Sequence, residues 1–212
     1  SLSYLAWTHF VQGSSANAAT CAERAIASAR CESPHAIATA LSNCAYVYQC
    51  MGAIDQVYAC ANELLAQAKK HGELIYLKRG TMTRSWADCM SGREHSSIDA
   101  VQEHIDLLLA AGEEIEVTYH LGVLADLQMR QERYSDAVAS LDKALQFAAK
   151  NQENFYLAEL YRLKAQALAR DPEARAPGDE TDYLAMAHET ARSQQANGWL
   201  NRLALKSGET VA

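Results

Sequence analysis

The chain has 212 residues, 49% of them hydrophobic and 21% charged, the balance of an ordinary folded soluble protein. Its formal net charge is −7, a poor match for a phosphate backbone, so direct nucleic-acid binding is not expected. No apolar run approaches the roughly 20 residues needed to span a bilayer. With only 3 Pro and 10 Gly, turn formers are scarce, which favours helices over strands.

Taken in chain order, the sequence reads as helix pairs. The first covers about 2–12 and 16–29, split by Gly13-Ser14-Ser15. The second starts at about His35, with Ser33 as N-cap and Pro34 at the first helical position, and runs to Met51. Gly52 breaks it, and 55–71 is its partner, ended by His71-Gly72 with Lys69 and Lys70 in the last turn. The third pair is 74–90 and 96–111, closed by Gly112. The fourth is 114–130 and 135–150, and the fifth is 153–170 and about 181–196. The connection 171–179 carries two prolines and several charges and reads as a solvated loop. A short helix from about Trp199 to Lys206 and a frayed tail over 207–212 complete the chain.

Within the helices the apolar period is near 3.6. Ala137, Val138, Leu141, Ala144, Leu145 and Ala148 form one stripe, and Ile98, Val101, Ile105 and Leu108 another. Ala45, Ala87, Ala125 and Ala165 fall near the middle of successive first helices, where a small residue lets the partner helix cross closely. The pattern returns about every 40 residues, which predicts a solenoid of stacked helix pairs.

At Leu121, Leu124, Ala125, Tyr134, Ala137, Leu141 and Ala144 the fourth pair resembles the tetratricopeptide (TPR) repeat, with longer helices than usual. Ala158-Glu159-Leu160-Tyr161-Arg162-Leu163-Lys164-Ala165, and Ala191-Arg192-Ser193-Gln194-Gln195-Ala196 with Trp199, are similar to segments of a narrower group. These are the C-terminal helical repeats of bacterial multidomain signalling ATPases, adenylate-guanylate cyclases and related transcriptional regulators. The resemblance implies an all-α, right-handed superhelical α-solenoid of about five antiparallel pairs plus a short C-terminal helix. It would form a single domain over 1–206 and would be bacterial and cytoplasmic. The start at Ser1 without Met, and no visible signal peptide, read as a piece of a longer protein. That parent could carry ATPase or cyclase activity, but no such motif lies in this chain.

Chemistry is hard to find. There is no phosphate-cradling glycine loop, no Gly-x-Ser-x-Gly elbow and no zinc-spaced histidine pair. Neither catalytic residues nor a cofactor or metal is expected. Glu103-His104 and His188-Glu189 put acid beside base, but neighbours on a helix diverge, so these read as exposed or turn-facing polar residues. The six cysteines form no Cys-x-x-Cys and read as small, reduced core residues.

In a TPR-like stack the first helices line the concave face. By register, that face is expected to show Thr39, Ser42, Tyr46 and Gln49, then Thr81, Arg84 and Asp88. The fourth pair adds Tyr119, Asp126 and Met129, and the fifth Glu159, Arg162 and Gln166. Mixed charge with tyrosines suits recognition of a peptide or helix, with Arg and Tyr as anchors. Arg84 and Asp88, four apart, could equally pair with each other. Tyr4, Trp7, Tyr46, Tyr48, Trp86 and Tyr161 read as core aromatics, and Trp199 as a plug on the last repeat. Neither end shows a polar cap, so an end face is expected to be covered by another domain of the parent chain or by a second copy. The leading expectation is a non-catalytic protein-binding or signal-transducing scaffold. The alternatives are a sensor holding a metabolite in the concave groove and, third, a small enzyme.

Overall fold

Punctuation chemistry sets the helix ends. The Ser33 side chain accepts a hydrogen bond from the Ala36 N–H at 3.1 Å, with Pro34 as the first helical residue. Gly52 and Gly72 close two helices with φ of 72° and 70°, a left-handed conformation that costs a Cβ-free residue nothing. The computed structural model describes residues 1–93, 97–171 and 179–207. Among them are eleven α-helices and no strand: α1 Leu2–Val11, α2 Ser15–Ala29, α3 Pro34–Met51, α4 Ile54–His71, α5 Leu74–Met90 and α6 Ile98–Ala110. The remainder are α7 Val117–Arg130, α8 Tyr134–Asn151, α9 Leu157–Leu168, α10 Asp179–Ser193 and α11 Asn197–Ser207. The chain is thus all-α, and no described helix is long and apolar enough to cross a membrane. The expected helix start at Ser96, the loop over 172–178 and the tail over 208–212 lie outside the described residues.

Two helices begin later than their sequence suggests. The pattern places starts at 114 and 153, whereas α7 starts at Val117 and α9 at Leu157. Glu116 lies at φ 71° and donates its backbone N–H to the Glu153 carboxylate at 3.0 Å. Gln152, at φ 58°, ends α8 without a glycine, and the Glu153 N–H returns to the Ala148 carbonyl at 3.0 Å. Those residues close one helix and position the next, so they cannot also extend it.

The chain forms two compact units, Ser1–His104 and Ile105–Ala212. In the first, each helix from α1 to α5 packs on the next, and α1 touches α3 and α3 touches α5. In the second, α7, α8, α9 and α10 pack in sequence, α7 touches α9, and α11 seats on α9 and α10. First helices therefore contact first helices within each unit.

The cores are built largely of small side chains. Ala45, Ala87, Ala125 and Ala165 are all buried, as are Val101, Ile105, Leu108, Ala137, Leu141, Ala144 and Ala148. Close approach is tightest at Gly122, where a Cβ would fall 2.7 Å from the Tyr156 ring and 3.1 Å from Leu160. Two sequence expectations are corrected. Tyr4, read as core, is 72% exposed, in the first turn of α1 where it borders an open cleft. His104, read as exposed or turn-facing, is fully buried. It shares α6 with Val101, three residues before it, and Leu108, four after it, on the apolar stripe.

The cysteines are unpaired by disulfides. Cys21, Cys44, Cys50 and Cys60 are buried, Cys89 is half-buried and Cys31 is exposed. Burial pushes the Cys44 and Cys60 thiols up to about 12, which keeps them protonated and inert as nucleophiles.

Candidate functional site

The polar residues of the first helices form a row in each unit, and the row is bonded to itself. In the first unit, Trp7 of α1 stacks on Tyr46 of α3 at 5.0 Å. Thr39 of α3 bonds the Tyr76 hydroxyl of α5 at 2.7 Å, and Arg79 donates to Ser42 at 3.0 Å. At the end of this row His35 meets Glu73 at 3.1 Å and packs edge-on against Tyr76. Arg79 also bears on His104. Burial, with the Arg79 charge second, holds that imidazole down to about 3, so it is neutral at ordinary pH.

Arg84 turns the other way, towards α4. It donates to Asn62 at 2.9 Å and to the Tyr58 hydroxyl at 3.2 Å. Its Nε lies 3.6 Å from Asp88, whose other oxygen is 3.6 Å from Arg93. Both guanidiniums lie over the Tyr58 ring, at 5.2 and 4.4 Å. Arg84 and Asp88 are therefore brought together, and the pair faces α4, while Gln49 is buried within α3 and Thr81 is exposed.

In the second unit the row is aromatic at one end and ionic at the other. Tyr119 meets Tyr156 edge-on at 5.3 Å, and Tyr156 meets Trp199 edge-on at 5.5 Å. The Trp199 indole donates to the Phe155 carbonyl at 3.1 Å, seating α11 on the start of α9. Glu159 and Arg162 then form a bidentate pair at 2.7 and 2.8 Å, buried to 2% and 5% exposure. Arg162 also reaches Gln166 at 2.9 Å, and Arg202 of α11 donates to Glu159 at 2.9 Å. Burial raises the Glu159 carboxyl, but Arg162 and Arg202 outweigh it and hold the group below the usual carboxylate range. Burial likewise opposes the Arg162 charge, and Glu159 outweighs it, with Asp126 adding to the same effect. A carboxylate held ionised between two guanidiniums ties helices together; it is no donor of protons at neutral pH.

Of the residues predicted for a concave face, Tyr46, Thr39, Arg84, Asp126 and Gln166 keep part of their surface in solvent. Ser42, Gln49, Asp88, Tyr119, Met129, Glu159 and Arg162 are buried. Sequence reasoning missed Tyr76, Arg79 and Arg202. The first two lie 37 residues beyond Thr39 and Ser42, short of the 40-residue return that the sequence pattern shows. Arg202 lies 43 residues beyond Glu159, off that step, and only the fold of α11 reveals it. The described residues hold no group of three His, Cys, Asp or Glu placed to bind a metal. One open cleft of about 610 Å³ lies in the first unit, lined by the start of α1, the end of α2 and the start of α3. No family model matches the chain, and no curated protein is significantly similar to it.

Proposed function

We propose that the chain is a non-catalytic, TPR-like α-solenoid module of a bacterial signalling protein that docks a protein or peptide on the row of first helices. One observation carries the reading. The contacts Thr39–Tyr76, Ser42–Arg79 and Glu116–Glu153 each span 37 residues, two of them in the first unit and one in the second. The helices themselves restart at steps of 40 from Pro34 to Leu74, Val117 to Leu157 and Leu157 to Asn197. A single register reused in both units is the mark of a repeat, and repeats of helix pairs present extended surfaces suited to polypeptides. The solvent-facing members, Tyr46, Asp126 and Gln166, supply the aromatic and polar contacts such recognition uses.

A peptide ligand selected from a random library by display, then titrated by calorimetry, tests this. Tyr46→Ala should weaken at least tenfold a selected peptide that binds the first unit, and Asp126→Ala one that binds the second, while Ala139→Ser, on an exposed part of α8, leaves both unchanged. A metabolite that raises Tm in a thermal-shift screen, with no peptide binding at all, would replace the scaffold by a small-ligand sensor.

A further inference from the structure

We draw no further inference here: the strongest candidate, the half-exposed arginine pair Arg84 and Arg93 over the Tyr58 ring where α5 meets α4, is answered within its own unit by Asp88 beside both guanidiniums and by Asn62 and the Tyr58 hydroxyl on Arg84, and nothing in the structure shows an outside group that it would take.

Discussion

Glu159 meets both Arg162 and Arg202, and this asymmetry orders the consequences of removing each charge. Without Arg162 the carboxylate keeps Arg202 as counterion. Without Glu159 two guanidiniums face each other, one of them buried, with Asp126 the remaining anion. Breaking a buried pair by deleting one partner costs about 3–5 kcal/mol. Glu159→Gln is therefore expected near the top of that range and Arg162→Met near the bottom, as read by urea unfolding. His104 makes a separate prediction. Its folded value, about 3, lies below the unfolded 6.5, so the unfolded chain takes up a proton that the folded chain refuses. Stability should then fall as pH is lowered from 6.5, by about 1.4 kcal/mol per unit. Glu159, whose folded value is depressed, adds loss only once pH drops below the ordinary 4.5. The histidine is isolated by His104→Gln, which should flatten the slope of urea midpoints between pH 6.5 and 4.5. What could be read at this scale without coordinates was the local part. Arg84 and Asp88, four apart on one helix, were legible as a pair. Glu159 and Arg162 were legible only as polar residues on an outward-looking face, because the arginine that helps to bury them comes from α11.

Helices were legible almost throughout, since period, caps and glycines agree with one another. The ends at Met51, His71 and Met90 fall where the sequence puts them. The late starts of α7 and α9 were not legible, because they depend on Glu116 and Glu153 meeting across 37 residues. Packing between helices is where single atoms decide. At Gly122 an added methyl would press on the buried Tyr156 ring at 2.7 Å. Gly122→Ala is expected to cost about 1–2 kcal/mol, after the ~1 kcal/mol gained in helix propensity. At Gly80 the nearest atoms belong to the Leu65 side chain at 3.0 and 3.1 Å, on a half-buried residue able to swing. Gly80→Ala should lie within about 0.5 kcal/mol of the parent. Chemical denaturation of both variants side by side distinguishes a true close approach from a general intolerance of change.

For the molecule, the account turns on register: the same 37-residue step joining first helix to first helix in each unit. The 40-residue return of the sequence pattern announced repetition but not that step, because side chains reach about one turn along the neighbouring helix. From the register follow the self-bonded polar rows and the partly exposed residues left to meet a partner. The most direct test is a nuclear Overhauser experiment on the intact protein. The account predicts cross-peaks from the Thr39 methyl to the Tyr76 ring and from the Tyr119 ring to the Tyr156 ring. No cross-peak between Thr39 and Tyr76, or none between Tyr119 and Tyr156, would contradict the shared register and the repeat reading built on it.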